Sequence, residues 1–84
     1  MRIRFTAHAI QKFTVLKRHG VSVSKQRVIR TVEQPDRVDY RRMPLLIAQK
    51  ELDKRRVLRV VYRVEDETKV VITFYPGRKS QYEK

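Results

Sequence analysis

The sequence predicts an α+β fold, in which a short N-terminal strand and a two-helix hairpin pack on one face of a three- to four-stranded antiparallel sheet. Apolar side chains recur with a helical period as far as residue 34, and from residue 37 onward they alternate with polar ones. The chain has 84 residues and two glycines, with no repeat or linker. One domain spanning residues 1–84 is therefore expected.

The first half of the chain predicts the strand and the helices. Arg2–Phe5 alternates charged and apolar side chains, as a short edge strand does. Thr6 is a suitable cap for a helix that runs to His19. Ser24 is the next cap, and the second helix, Lys25–Gln34, stops before a proline. The short loop between the helices predicts an antiparallel hairpin.

Apolar stripes on the helices predict which face packs on the sheet. At about 100° per residue, the inward side chains of each helix gather on one side. They are Ala9, Ile10, Phe13 and Leu16 in the first helix, and Val28, Ile29 and Val32 in the second.

The second half of the chain predicts the sheet. Its candidate strands are Arg37–Arg41, Leu45–Leu52, Arg56–Val64 and Lys69–Tyr75. Alternation assigns one set of side chains to the core: Leu58, Val60, Tyr62, Val64, Val70, Ile72 and Phe74. The opposite set faces outward: Val57, Arg59, Val61, Arg63, Lys69, Val71, Thr73 and Tyr75.

Charge is the strongest functional signal in the sequence. Lys and Arg number 21 against 9 Asp and Glu, which gives a net charge of +12. Residues 1–32 contain eight basic side chains and no acid. Such an excess favours polyanionic partners, and nucleic acid is the first expectation. A surface charged only for solubility, or for a hot habitat, is the alternative.

Several classes of function are excluded or weakly supported. The chain has no cysteine, which excludes disulfides, thiolate zinc sites and cysteine nucleophiles. Two glycines cannot build a phosphate-binding loop, and His8 and His19 without a carboxylate cluster predict no metal site and no cofactor. No apolar run approaches the roughly 20 residues of a spanning helix, and no signal peptide follows the N-terminus. A cytoplasmic protein with no membrane association is expected.

The candidate nucleic-acid interface is the sheet face that the helices leave open. We predict no acidic side chain among its strand positions, although an ordinary solvated face is the alternative. Its predicted members are Arg59, Arg63, Lys69, Thr73 and Tyr75, with Arg78 and Lys79 arriving from the last strand and Lys50 joining them.

Such a face suits RNA cleavage in which the substrate's own 2′-hydroxyl attacks the adjacent phosphate. This reaction needs no metal, only cations to hold the phosphate and groups that accept and donate a proton. Arg59 is a candidate phosphate clamp, or else it pairs with a carboxylate such as Glu51 or Asp53. Tyr75 is a candidate base or base-stacking group, and otherwise a rim tyrosine.

Three further candidates lie near the ends of the chain. His8 occupies the first turn of a helix, where the dipole favours a neutral imidazole. It suits a proton acceptor, or else a histidine that packs the helix onto the sheet. Arg78 and Lys79 are candidate phosphate contacts in a segment that is otherwise a polar tail.

Motifs along nearly the whole chain resemble those of a known family. The motifs are Phe5-Thr6-x-His8-Ala9, Lys17-Arg18-His19-Gly20-Val21-Ser22, Glu33-x-Pro35-Asp36-x-Val38, Val57-Leu58-Arg59-Val60-Val61-Tyr62 and Val71-Ile72-Thr73-Phe74-Tyr75-Pro76-Gly77-Arg78. In order and spacing they resemble a family of small prokaryotic proteins known as a domain of unknown function. That family is similar to the BrnT-like and RelE/ParE-type toxins of toxin–antitoxin modules.

The resemblance implies a helix hairpin on an antiparallel sheet, and cleavage of mRNA, often on the ribosome. For ParE-like members it implies inhibition of DNA gyrase instead. Arg59 matches the arginine of the family's central strand, and Tyr75 with Arg78 matches its C-terminal cluster. Catalytic groups in the family are Arg, Lys, Tyr or His on the sheet face and the C-terminal segment.

Two functions follow as expectations. The first is a metal-independent endoribonuclease toxin, neutralised by an acidic antitoxin that covers the basic face. The catalytic candidates are Arg59, Tyr75, Arg78 and His8, and the nucleic-acid-binding candidates are Lys50, Arg63, Thr73 and Lys79. The second is a non-catalytic module of the same fold that binds nucleic acid or a protein such as gyrase. The sequence leaves the oligomeric state open.

Overall fold

The computed structural model describes residues 2–83, which form a five-stranded sheet, two helices and a short third helix. In chain order the elements are β1 (Arg2–Phe5), α1 (Ala7–Arg18), α2 (Lys25–Glu33), β2 (Arg37–Asp39), β3 (Leu46–Glu51), β4 (Arg56–Glu65), β5 (Thr68–Arg78) and α3 (Lys79–Tyr82). The α+β class is confirmed, with more strands than predicted. No helix in the described part of the chain is long and apolar enough to cross a membrane.

The sheet is mixed rather than wholly antiparallel. Its strand order is β1-β5-β4-β3-β2, and β1 runs parallel to β5 while the other neighbours are antiparallel. The N–H of Thr6, just after β1, donates to the carbonyl of Val71 at 3.0 Å and continues this pairing. The parallel pairing of β1 with β5 differs from the antiparallel sheet that we predicted. Alternation of side chains within one strand does not indicate the direction of the neighbouring strand.

Both helices begin where the sequence predicts. The hydroxyl of Thr6 accepts from the N–H of Ala9, and that of Ser24 accepts from the N–H of Arg27, both at 3.1 Å. The Thr6 hydroxyl also donates to the carbonyl of Ile72, which ties the start of α1 to β5. α1 packs on β1 and β5, and α2 packs on β3 and β4.

The core lies between these helices and the sheet. Leu16 and Val28 are buried as predicted, and the Phe13 and Phe74 rings pack 4.6 Å apart between centroids. Ile10, predicted in the core, is instead 48% exposed. α1 packs mainly on β1 and β5, so the sheet buries fewer positions of α1 than are apolar in its sequence.

A β-bulge changes the register between β4 and β5. Thr73 pairs with Val61 and Val71 pairs with Tyr62, which leaves Ile72 as an extra residue on β5. A bulge of this kind reverses the side-chain alternation on one strand relative to its partner.

The bulge overturns part of the predicted face assignment. Val71 belongs to the core cluster with Tyr62, whereas Val70 pairs with Arg63 on the opposite face. The ammonium of Lys69 lies 5.6 Å from the centre of the Tyr62 ring, on the helix side. Lys69 is therefore absent from the face where the sequence places it, because alternation cannot reveal an inserted residue.

β5 also continues beyond its predicted end at Tyr75, through Pro76 to Arg78. β1 pairs only with Thr68 to Val71, so the outer edge of β5 is unpaired further along. Proline lacks an N–H and is tolerated at such an edge.

Candidate nucleic-acid interface

Arg59 lies at the centre of the sheet face opposite α1 and α2, and its side chain is buried. Gln49 on β3 and Tyr75 on β5 are its direct neighbours across the sheet. Nε of Arg59 donates to the Tyr75 hydroxyl at 3.1 Å, and Nη1 donates to Oε1 of Gln49. The residue is only 5% exposed.

A carboxylate completes this cluster. Oδ2 of Asp39, on β2, accepts from Nη2 of Arg59 at 3.4 Å. Asp39 also accepts from Nε and Nη2 of Arg41, at 3.0 and 2.8 Å. Hydrogen bonds from the Arg41 side chain and backbone, and then from Arg59, hold the pKa of Asp39 well below its usual range. The partner of Arg59 is thus Asp39 rather than Glu51 or Asp53.

The C-terminal helix α3 covers Arg59. The guanidinium carbon lies 4.1 Å from the centre of the Tyr82 ring, which is within cation–π range. Arg37 donates to the carbonyl of Tyr82 at 2.8 Å, and Lys79 pairs with Glu51. The segment predicted as a polar tail is therefore packed on the sheet.

Gly77 makes this cover possible. A Cβ at residue 77 would overlap the ring of Tyr82. A larger residue there would push Tyr82 away from Arg59. Tyr82 and Gly77 were not among the predicted site residues, because nothing in the sequence signals that the tail folds back.

Gln49 is a second residue that the sequence analysis missed. It is fully buried, and its Nε2 has no hydrogen-bond partner among residues 2–83. Gln49 lies beside Arg59 because these two residues are paired in the register of β3 with β4. The sequence of β3 does not indicate which of its side chains face the helices.

Acidic side chains neutralise the cations of this face, contrary to our prediction. The ion pairs are Arg59–Asp39, Arg63–Glu65 and Lys79–Glu51. Glu65 and Glu51 stand at strand ends, which an alternation pattern does not fix to the residue. Asp39 is shared between Arg59 and Arg41, and Arg37 has no acidic partner among residues 2–83, so the face is partly neutralised.

Lys50 lies on the other face. It pairs with Leu58 across the strands, and its ammonium donates to the carbonyl of Gln34 at 2.8 Å. Asp36 lies 3.5 Å from the same ammonium. Lys50 is thus held at the end of α2 and does not join Arg59.

His8 and Thr73 meet at the edge of β5. Nε2 of His8 lies 3.2 Å from Oγ1 of Thr73, two residues before Tyr75. Within residues 2–83, no hydrogen bond links His8 to Tyr75 or Arg59.

Cations, three of them without an ion pair among residues 2–83, collect at another place, a groove between the β3–β4 turn and the β5–α3 junction. The groove has a volume of about 900 Å³. Its lining contains five cationic residues and one acid, and we call it the cationic groove: Asp53, Lys54, Arg55, Arg56, Arg78, Lys79 and Ser80.

Two arginines stand directly opposite each other in this groove. Arg56 on β4 pairs in register with Arg78 on β5. Asp53 accepts from Arg56 at 2.8 Å, but the described residues offer Arg78 no ion pair or side-chain hydrogen bond, and the same holds for the side chains of Lys54 and Arg55. Like charges directly opposite each other repel unless a counterion intervenes.

The predicted catalytic residues are thus only partly brought together. Arg59 and Tyr75 are in contact, whereas His8 on α1 contacts Thr73 on β5. Strand alternation places Arg78, with Arg56, on the opposite side from Arg59. Lys54, Arg55 and Arg56 were not predicted as site residues, although the basic run Lys54-Arg55-Arg56 at the start of the predicted strand Arg56–Val64 is visible in the sequence.

No protein-family model matches the chain, and no match was found among curated proteins or solved structures. The resemblance to BrnT-like and RelE/ParE-type toxins therefore stays a prediction. Among residues 2–83, no group of three His, Asp or Glu side chains is placed to hold a metal ion. The fold and the cationic groove define the class of protein, a small α+β domain with a concentrated site of unpaired positive charge.

Proposed function

We propose that this protein is an RNA-binding module whose phosphate-binding site is the cationic groove. The observation that carries the proposal is the pairing of Arg56 with Arg78 in a groove that also contains Lys54 and Arg55. Asp53 is its only acid.

A phosphate group fits this arrangement chemically. Guanidinium groups bind phosphate oxygens through two parallel hydrogen bonds, and a bound phosphate offsets the repulsion between Arg56 and Arg78. The groove is open to solvent, so a continuous backbone can pass through it. RNA is chosen over DNA on the resemblance to RNA-cleaving toxins. The acidic antitoxin that the resemblance implies stays a prediction and would compete for the same cations.

The test is binding of a fluorescent single-stranded RNA of about ten nucleotides. We expect Lys54→Gln/Arg55→Gln/Arg78→Gln to lose more than about tenfold in affinity. We also expect its salt dependence to become shallower, by about 0.7 in log–log slope for each phosphate that the variant no longer binds. DNA of the same sequence, run in parallel, reports whether the sugar matters.

Arg63→Gln is the matched control, since Arg63 is already paired with Glu65. Its affinity should change by less than about twofold. The groove variant removes three charges and Arg63→Gln removes one. If the loss of affinity per removed charge were the same in both, net charge alone would explain binding and the proposal would be contradicted. Tighter binding to DNA than to RNA would reject RNA as the ligand.

RNA cleavage is the second candidate function, and the Arg59–Tyr75 contact is the observation in its favour. The Tyr75 oxygen accepts from Nε of Arg59, so its hydroxyl proton is still available to a leaving oxygen. Arg59 is nearly buried beneath Tyr82, so movement of Tyr82 would expose it further to a phosphate. We expect Gly77→Ala to displace Tyr82 without removing any candidate group.

Cleavage is measured with EDTA present, on free RNA and on translating ribosomes. The nuclease hypothesis expects Gly77→Ala to cleave faster than the wild type, and Gly77→Ala/Tyr75→Phe to lose most of that activity. Absence of cleavage by all three proteins would reject it and leave the binding module.

A further inference from the structure

We infer that the cationic groove is one end of a longer track, which holds the backbone of a single RNA strand and continues along α2. The inference rests on the proposed function and extends it to the length and class of ligand. The track consists of the cationic groove together with Arg27 and Arg30.

Two more grooves connect α2 to the cationic groove. One, of about 290 Å³, is lined by Ser24, Gln26, Arg27, Arg30, Lys50 and Glu51. The other, of about 360 Å³, is lined by Val21, Ser22, Ser24, Arg27, Leu52, Asp53 and Arg56. The second groove shares Arg27 with the first, and it shares Arg56 with the cationic groove. The three grooves therefore adjoin.

Arg27 fixes the junction between helix and sheet. Its Nη1 donates to the carbonyl of Leu52 at 2.8 Å, which links the first turn of α2 to the chain just after β3. A guanidinium carries five N–H donors, so most of them are still available to a ligand. The spacing between Arg27 and Arg56 is consequently set by the fold rather than by mobile side chains.

Cations outnumber acids along this path. The chain contains no acid before Glu33, so the loop and the first turns of α2 contribute only cations. Of the acids along the path, Glu51 and Asp53 are paired with Lys79 and Arg56 and Asp36 is paired with Lys50, while Glu33 lines a groove next to Arg30. Arg30 has no ion pair or side-chain hydrogen bond within residues 2–83, and phosphate is a suitable partner for it.

The shape of the path favours a single strand over a duplex. The path turns from the exposed side of α2, around the β3–β4 turn, to the start of α3. A single strand can bend to follow three successive grooves, whereas a stiff duplex contacts a curved end of a small domain at one place.

The experiment compares oligouridines of about four and about twelve nucleotides, lengths that bracket a short and a long site. Arg30→Gln is the principal variant, because its side chain forms no hydrogen bond or ion pair within residues 2–83 whose removal could disturb the fold. We expect it to weaken binding of the long strand about fivefold, as removal of one phosphate-binding cation does, and to leave the short strand within about twofold. Arg27→Gln/Arg30→Gln should lose about tenfold or more on the long strand only.

Arg2→Gln/Arg4→Gln is the control, since it removes two exposed charges from β1, which pairs with the end of β5 remote from Arg78. Its affinity for either length should stay within about twofold of the wild type. A duplex of the longer length should compete at least about tenfold less well than the single strand.

Each failure has a distinct meaning. If Arg30→Gln has no effect on the long strand while the groove variant still loses binding, the track is wrong and the groove stands. If the duplex competes as well as the single strand, the ligand class is wrong. If the groove variant binds both lengths normally, the proposed function itself fails.

Discussion

The two arginine clusters of this domain have similar residues and opposite environments. Around Arg59 the donors meet Asp39, Gln49 and Tyr75, and Tyr82 excludes solvent. In the cationic groove, Arg78 is exposed and has no described partner of its own. The comparison teaches that the number of cations on a surface does not locate a binding site. The location of their counterions does.

The difference follows from the energetics of buried charge. An arginine taken out of water must find hydrogen bonds for its N–H groups and a compensating charge, and Arg59 has both. A ligand phosphate at Arg59 would have to displace Tyr82 and compete with Asp39. The groove cations are solvated and incompletely neutralised, so they can gain a partner without giving one up.

The largest expected effect is a difference in the stability of the fold when an arginine is removed from one cluster or from the other. Arg59→Ala should lower the free energy of unfolding by about 3 kcal/mol, because it leaves Oε1 of Gln49 without a donor in a buried place and removes a packed side chain. Arg78→Ala should change it by no more than about 0.5 kcal/mol. Urea unfolding followed by circular dichroism measures both.

A similar loss of stability in both variants would contradict this contrast. Arg59→Lys is a useful intermediate, since it keeps the charge but lacks the planar guanidinium whose separated N–H groups reach Tyr75, Gln49 and Asp39. Its stability should fall between that of the wild type and that of Arg59→Ala.

The second expected effect is a pH dependence at Asp39. Because its folded pKa lies below the ordinary value of 3.8, the ionised carboxylate stabilises the fold above that pH. The contribution falls as the pH drops from about 4 toward the folded pKa. Asp39→Asn should therefore be less stable than the wild type at pH 7, and the difference should shrink below about pH 4.

Unfolding in urea from pH 7 to pH 2 checks this sign. Asp36→Asn is the comparison, since Asp36 lies on the other side of β3, beside Lys50. A difference between Asp39→Asn and the wild type that grows toward acid pH would show that Arg41 and Arg59 do not stabilise the charged form.

Local signals made most of the fold predictable. Thr6 and Ser24 mark the helix starts because capping depends only on neighbouring residues. The alternation of Leu58, Val60 and Tyr62 marks β4 because three consecutive inward positions are apolar.

The features that were predicted wrongly or not at all depend on contacts between residues distant in the sequence. The bulge at Ile72 and the parallel pairing of β1 concern relations between strands, which a single strand's pattern does not encode. The same holds for the site. Tyr82 covers Arg59 because Gly77 leaves room for a ring five residues later. Asp39 neutralises Arg59 from two strands away in the sheet.

The smallest expected effect is a change in RNA affinity when the acid of the cationic groove is neutralised. Asp53 is the only acid there, and hydrogen bonds from the N–H of Arg55 and from the Arg56 side chain lower its pKa. Asp53→Asn keeps the Oδ1 atom that accepts from the N–H groups of Arg55 and Arg56, so the turn is retained. The ion pair to Arg56 is removed and the groove gains one net positive charge.

We therefore expect Asp53→Asn to bind single-stranded RNA about two- to fivefold more tightly at low salt, with the gain vanishing near 1 M salt, where screening is nearly complete. Asp66→Asn makes the same change of charge at the β4–β5 turn, where the positive φ of 55° suits asparagine. A gain as large in Asp66→Asn would mean that RNA responds to the net charge of the domain and not to the groove. A gain confined to Asp53→Asn would mean that neutralisation of the groove cations by Asp53, rather than the number of those cations, limits RNA binding at this site.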